Sequence, residues 1–303
     1  MIYTLTLNPS IDYVIRFDEL EKGTINRTKE EDYVFGGKGI NVSSMLHHLG
    51  TKSCALGFVA GFTGQALEKG LQEQGIDTDF ITIDGGFTRI NVKIHAQEET
   101  ELNGQGPVIE PNYVEAFYEK LHVIENGDFL VLSGNLPKQI DDNIYANIMD
   151  KLKDKQVSFV VDAFGQPLLQ TLAYHPFLIK PNHHELKDLC HLEDTSEESL
   201  LQGAKQLQQL GARNVLISMA EKGAMLLDEE GIVYHMDAIK GEVVNSVGAG
   251  DSMVAGFIYG YLQTKDYQKA LEYGVCCGSA SAFDKGIASK EAVMRLLDQV
   301  KKI

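Results

Sequence analysis

Residues 247–252 read VGAGDS and lead into a long apolar stretch. Gly248 and Gly250 carry no side chain, so their backbone N–H groups can come close to a ligand. The start of a helix leaves several N–H groups unpaired and carries the positive end of its dipole. Together these features make a seat for a phosphate or a developing oxyanion. Asp251 conflicts with such a seat, because a carboxylate repels an anion. Helix capping would explain the aspartate, but neither the Gly248-Ala249-Gly250 run before it nor the small face of Ser252, Ala255 and Gly256 after it. The conflict disappears if the carboxylate does proton work. In phosphoryl transfer the protein mainly positions groups and neutralises charge, while a carboxylate accepts the proton of the attacking hydroxyl. Asp251 is therefore the candidate base, and the amides of 248–251 the candidate anion hole.

Four other stretches carry candidate chemistry. FGGKGINVSSMLHHLG (35–50) is a second Gly-rich helix start, with Gly37 for close approach, Lys38 as a cation and Asn41 as an amide for sugar hydroxyls. TLNPSID (6–12) ends the first apolar run and offers Asp12 as an acceptor for two neighbouring hydroxyls. KPNHHEL (180–186) places Asn182 and Glu185 three apart, on one face of a helix start. Those oxygens suit magnesium, which keeps several of its waters. ISMAEKGAML (217–226) reads as strand, turn and strand, with Ser218, Glu221 and Gly223 set to line a nucleotide. Arg89 and Arg27 are candidates for holding a phosphate in a fork geometry; a solvated charge is the plain alternative for each. The pairs His47-His48 and His183-His184 lack metal-site spacing and read as surface residues.

Holding these groups together calls for a layered α/β scaffold. Continuous apolar runs at 2–7, 53–60, 129–134, 158–163, 177–180 and 214–219 are expected as strands covered on both faces. Helical patterns fall between them at 39–49, 64–74, 111–125, 141–154, 183–191 and 196–210, and a C-terminal block follows at 249–263, 266–283 and 289–301. The alternation predicts a doubly wound, mostly parallel sheet flanked by helices, with ligands beyond the C-terminal strand ends. Residues 12–17, 31–35 and 88–103 instead alternate apolar and polar, as strands with one wet face do. They predict a small β-sheet lid, formed by excursions at about 12–35 and 88–105 from a single domain spanning 1–303.

Composition narrows the partners. The 303 residues carry a formal net charge of −16. This disfavours nucleic acid and anionic membranes, and makes each cation near a Gly-rich loop worth noting. Residues 1–8 lack a basic lead, and no apolar run is long enough to span a bilayer. Cys54, Cys190, Cys276 and Cys277 show no CxxC spacing and read as reduced structural thiols, which suits the cytoplasm. No GxGxxG follows the first strand, which argues against a NAD-dependent oxidoreductase, and no GxxxxGK[ST] loop is present.

In order along the chain, GGKGIN, KPNHHE and VGAGDS resemble the ribokinase-like carbohydrate kinases, in their phosphofructokinase-B branch, over essentially the whole length. TLTLNPSIDY, GGKGINVS, TRINVK followed by ETELNGQGP, and NSVGAGDS are most similar to the members that phosphorylate fructose 1-phosphate; the tagatose-6-phosphate kinases share the first two. The resemblance implies ATP and Mg2+ as cofactors and a sugar phosphate as substrate. It implies a catalytic base at Asp251 and an anion hole at Gly248, Ala249 and Gly250. It also implies sugar contacts from Asp12, Gly37 and Asn41. Lys38 and Arg89 would hold the substrate's phosphate, together with Arg27 reaching from a partner subunit. Nucleotide contacts would fall on Ser218, Glu221 and Gly223, with Lys180 and Asn182. Asn182 and Glu185 would organise magnesium through water. The lid would form a homodimer interface. Asn245-Ser246 departs from the Asp-Thr of many relatives, which leaves the base untouched but weakens any role for that pair. The rival from another class is a non-catalytic sugar-phosphate sensor, which has no need of a base.

Overall fold

The structure is a computed structural model that describes residues 1–134 and 136–300. Its large sheet is built on the continuous apolar runs. Strands β1 (Ile2–Thr6), β4 (Cys54–Ala60), β5 (Asp77–Thr78), β6 (Ile81–Ile83), β9 (Phe129–Ser133), β10 (Ser158–Asp162), β11 (Leu178–Ile179) and β12 (Asn214–Ser218) pair in parallel. Strands β13 (Ala224–Leu227) and β14 (Val233–Met236) extend one edge antiparallel. The order is β14-β13-β12-β11-β10-β9-β1-β4-β5, with β6 also pairing β4.

These runs are mostly apolar because each strand feeds two cores. Leu130, Leu132, Val161, Ile179 and Ile217 enter one core, which also packs helices α3 (Pro111–Lys120), α4 (Ile144–Lys151), α5 (Gln166–Thr171), α6 (His183–Cys190) and α7 (Glu197–Gln209). Phe129, Val131, Val160, Leu178 and Leu216 enter the other, against α1 (Lys38–His48), α8 (Ala249–Thr264), α9 (Tyr267–Ala282) and α10 (Lys290–Val300). Side chains that alternate between two buried layers leave no wet face. Helix α2 (Gly61–Glu73) closes a third, smaller core around Val59, Leu67 and Phe80.

The alternating stretches form a separate four-stranded sheet. Its strands are β2 (Ser10–Arg16), β3 (Glu30–Gly36), β7 (Arg89–His95) and β8 (Glu99–Asn103), in the order β3-β2-β7-β8. One face lines the cleft and is polar apart from Val14 and Val34; the other carries Ile11, Tyr13, Ile15, Tyr33, Phe35, Ile90, Val92, Ile94 and Leu102. Ile11 and Phe35 tie this sheet to the third core. A Cβ on Gly70 of α2 would lie 2.1 Å from the Phe35 ring, so the missing side chain makes room for the lid.

Several elements differ from expectation. The helix expected over 111–125 ends at Lys120 and finishes in a 3-10 turn at Leu121–Val123; that expected over 141–154 is trimmed to Ile144–Lys151. The expected span 88–103 is a hairpin of two strands. Helix α5 and strands β5, β6 and β14 were not anticipated; they have six, two, three and four residues, too few to show a period. Residue 301 of the expected final helix lies outside the described residues. Cys276 and Cys277 are fully buried at the α8/α9 contact, where a Cβ on Gly256 would lie 2.7 Å from Cys277 Sγ; burial pushes both thiols up. Among the described residues, no helix is long and apolar enough to cross a membrane.

Candidate active site

A cleft of about 1050 Å³ lies between the polar face of the small sheet and the C-terminal ends of the large sheet's strands. Thr6, Ser133, Asp162 and Ser218, the last residues of β1, β9, β10 and β12, all line it. Two helix N-termini open onto the same space. Helix α1 begins after Gly37, whose φ of 134° excludes an ordinary side chain and whose absent Cβ would lie 2.5 Å from Thr6 Cγ2. Helix α8 begins after Gly248, in the left-handed region at φ 81°. The two Gly-rich motifs are thus neighbours at the cleft; Ile40 N donates to Thr6 Oγ1 at 3.2 Å and Ala249 N to the Ser246 carbonyl at 3.3 Å, so the other first-turn amides are the ones left for a ligand.

Asp251 sits in the first turn of α8 and is 5% exposed. Its carboxylate does not cap its own helix; Oδ2 instead accepts a 2.7 Å hydrogen bond from Asn41 Nδ2 on α1. Burial, and then the charge of Asp162, push the Asp251 carboxyl up to about 6; Lys38, Asn41 and Lys180 pull the other way. A carboxylate tuned toward neutrality and facing a cleft has the character of a general base.

Beside it stands a cluster of two lysines on one aspartate. Asp162 is 2% exposed, and its Oδ1 lies 3.1 Å from Lys38 Nζ and 3.5 Å from Lys180 Nζ. Burial pushes the Asp162 carboxyl up, but the two ammonium groups outweigh it and hold it below the usual range. Burial lowers Lys38 in turn, but Asp162 and Asp251 more than compensate and keep it charged. Asp162 Oδ2 is buried with no hydrogen-bond partner among the described residues. Lys180 Nζ lies 3.3 Å from where a Cβ on Gly250 would stand, so the α8 amides and this ammonium face the same point. Two cations and a helix start form a pocket for negative charge.

Asn182 and Glu185 form a capping box at the start of α6. Asn182 Oδ1 accepts from the amides of His184 and Glu185, at 2.9 and 2.8 Å, and Glu185 Oε2 accepts from the Asn182 amide at 2.8 Å. Both residues line the cleft, and Glu185 Oε1 is left over from the box.

On the lid, Asp12 Oδ1 accepts from Ser10 Oγ at 2.6 Å and from Asn91 Nδ2 at 2.8 Å, while Oδ2 lies 3.3 Å from Lys93 Nζ. Arg89 donates from Nε to the Asn8 carbonyl at 3.1 Å, which leaves its terminal nitrogens available to the cleft; burial lowers its pKa.

The structure thus brings together Asp12, Gly37, Lys38, Asn41, Arg89, Lys180, Asn182, Glu185, Ser218, Gly248, Gly250 and Asp251, with Ala249 opening the helix between the last glycines. It does not bring in Glu221 or Gly223, and Arg27, expected to reach from a partner subunit, lies outside this chain's own cleft. Glu221 is exposed on a 3-10 turn entered through Ala220 at φ 50°. Gly223 is buried against β14, where a Cβ would lie 2.0 Å from the Met236 carbonyl. Arg27 is exposed on the β2–β3 connection. Asn41, expected to serve sugar hydroxyls, lines the cleft and gives one Nδ2 hydrogen to Asp251; its amide has a second N–H and an acceptor oxygen besides. Asp162, Asn91 and Lys93 were not singled out. The signals were a carboxylate closing the apolar run SFVVD, and two polar residues alternating with Arg89 along one strand face.

Comparison with known proteins agrees with this geometry. A family model described as pfkB family carbohydrate kinase matches residues 5–292. The chain is 43% identical over 303 residues to a 1-phosphofructokinase of Bacillus subtilis (strain 168), covering 99% of both. It is 36% identical to a D-tagatose-1-phosphate kinase of Bacillus licheniformis, covering 99% of this chain and 98% of that one. Among solved structures, phosphofructokinase-2 of Escherichia coli in complex with fructose-6-phosphate superposes with a TM-score of 0.91 at 26% identity, covering 99% of each chain.

Proposed function

The chain belongs to the pfkB family of carbohydrate kinases, and on that premise we propose that it transfers the γ-phosphoryl group of ATP to fructose 1-phosphate, giving fructose 1,6-bisphosphate and ADP. The observation that carries the reading is the Asp251 carboxylate, buried at the mouth of α8, facing the cleft and held by Asn41 rather than by its own helix.

The roles follow from position. The free primary hydroxyl of the sugar approaches Asp251. Its proton passes to the carboxylate as the new O–P bond forms and the bond to the leaving oxygen of ADP breaks. The amides of Gly250 and Asp251 and the Lys180 ammonium stabilise the group in flight, the Ala249 amide being taken by the Ser246 carbonyl at 3.3 Å, and Asn41 fixes the carboxylate's rotamer. Lys38 and Lys180, tethered to Asp162, keep positive charge where phosphates gather. Asp12 and Asn91 contact the sugar hydroxyls and Arg89 its existing phosphate, with the nucleotide along Ser218 and the exposed apolar residues Val243, Val244 and Val247.

Magnesium fits as an ion brought in by the nucleotide. Among the described residues no group of three or more His, Cys, Asp or Glu side chains is placed to hold a metal, so the protein builds no closed cage. It offers the spare Oε1 of Glu185, with Asn182 beside it, and magnesium commonly takes one or two carboxylates while phosphates and waters complete its shell. When bound, the ion supplies neutralisation of the β- and γ-phosphate charge.

A sugar-phosphate sensor without activity is disfavoured, since it would have no use for a buried carboxylate poised near pH 6. The polar cleft face and apolar outer face of the small sheet support a homodimer through the lid, in the cytoplasm where ATP is plentiful. The deciding assay is ADP release with fructose 1-phosphate, tagatose 1-phosphate, fructose 6-phosphate, tagatose 6-phosphate and ribose in parallel. Fructose 1-phosphate is expected to give the highest kcat/KM. A preference for a 6-phosphate would overturn the substrate, and no ADP release with any of the five would overturn the reaction.

A further inference from the structure

The lid face holds an ion pair at the place assigned to the sugar. Lys93 Nζ lies 3.3 Å from Asp12 Oδ2 and 3.7 Å from Glu101 Oε1. The side chains of Lys93 and Asp12 are 17% and 14% exposed, so water screens this pair only in part. The other oxygen of Asp12 already accepts two hydrogen bonds, from Ser10 and Asn91. An incoming sugar therefore meets a carboxylate with one oxygen taken and the other covered by an ammonium.

The strand register shows where that ammonium can go. Asp12 stands opposite Asn91, and Val14 stands opposite Lys93. The Lys93 side chain thus leans two residues back along β7, toward Arg89, which shares its face. Arg89 makes no ion pair among the described residues and is bound only through Nε. The two cations flank Asn91 and can converge on one anion.

We propose that Lys93 is a specificity-determining latch on Asp12, released by the phosphate that the sugar already carries. With a sugar phosphate, the ammonium passes from Asp12 to the phosphate beside Arg89, and the freed Oδ2 accepts a sugar hydroxyl. A phosphate with close to two negative charges is a stronger partner for an ammonium than one carboxylate already sharing hydrogen bonds. An unphosphorylated sugar offers no such exchange, and must displace Lys93 from Asp12 while leaving it only the half-exposed Glu101 as a partner. Discrimination then comes from the wrong substrate's failure to repair a broken ion pair. The latch rests on the sugar-phosphate reading above, and goes beyond it by joining phosphate recognition to hydroxyl recognition through one residue.

The test compares wild type, Lys93→Met and Lys93→Arg by KM in ADP release, with fructose 1-phosphate and with fructose, after thermal melts confirm folding. Lys93→Met is expected to raise KM for fructose 1-phosphate about tenfold to a hundredfold, the span of a lost charge-assisted contact. For fructose, KM should stay level or fall, because the latch is gone. Lys93→Arg should keep the fructose 1-phosphate KM within several-fold of wild type. Lys93→Gln, similar in length to the lysine stem, takes over the test should the methionine variant not fold. Equal losses with both sugars would reduce Lys93 to a prop for Asp12 and overturn the latch while leaving the kinase reading intact. An unchanged KM for fructose 1-phosphate would do the same. Wild type that turns over neither phosphorylated nor free sugar would remove the kinase reading itself, and the latch with it.

Discussion

Asp251 shows how one side chain is fitted for its task at a cost to the fold. Its carboxyl is raised from 3.8 to about 6, first by burial and then by Asp162. As the proposed base, Asp251 must be ionised, so kcat/KM is expected to fall about tenfold per unit as pH drops below about 6, and to level off above it. Asp251→Asn keeps the size and the Asn41 contact but cannot take a proton; turnover should fall about 10²–10⁴-fold while sugar affinity holds within several-fold. Near-normal turnover would show that the base lies elsewhere. Stability should move the opposite way. The folded state binds this proton more tightly than the unfolded chain, so no penalty exists below the unfolded value of 3.8. The penalty grows as pH rises from there and is complete above about 6, on the order of 2–3 kcal/mol. Asp251→Asn should therefore outlast wild type in denaturant at pH 8 and lose that advantage near pH 4. A variant weaker than wild type at both values would contradict the account.

Elements explain what sequence could and could not disclose. The parallel strands were legible because alternate residues such as Leu130 and Val131 enter different cores, which leaves few polar positions, most of them at strand ends. The starts of α1 and α8 were legible because close approach and positive φ select glycine at Gly37 and Gly248. Asn182 and Glu185 were also legible, though their spacing serves a capping box as well as any metal role. Asp162 was not, since a lone carboxylate ending a strand gains meaning only when Lys38 and Lys180 arrive from other elements. Glu221 and Gly223 show the converse: a turn beside Ser218 in sequence lies outside the lining of the cleft in space. The seat of the lid was equally hidden, because nothing local marks Gly70 as the partner of Phe35. Gly70→Ala would set a Cβ 2.1 Å from that ring. Overpacking of this kind costs about 1–3 kcal/mol, and here it pushes the end of β3, next to Gly36 and Gly37. The KM for the sugar should rise several-fold while that for ATP stays close to wild type. Equal shifts in both, or in neither, would show that the lid does not depend on this contact.

Across the whole molecule, a net charge of −16 surrounds a cleft that must admit anions, so the cations at Lys38, Lys180, Arg89 and Lys93 work against the global field. A lid that closes over them needs backing, and a four-stranded sheet held to the main domain through Ile11 and Phe35 has little of its own. Its outer face bears Tyr33 at 63% exposure and Leu102 at 56%, alongside the half-buried Tyr13, Ile15 and Ile94. A contiguous apolar sheet face is costly to leave in water, and a second copy of the same face would cover it with two-fold symmetry. Replacing Tyr33 and Leu102 together by aspartate places like charges across that contact in both subunits. Light scattering should then show a single-chain mass where wild type shows twice that. The sugar KM should rise with it, because an unbacked lid holds Asp12 and Arg89 less firmly. The Asp251 pH profile should not move, since α8 lies in the other layer of the fold. Wild type with a single-chain mass at micromolar concentration would refute the dimer, and an altered pH profile in the double variant would mean that the lid's influence reaches the base.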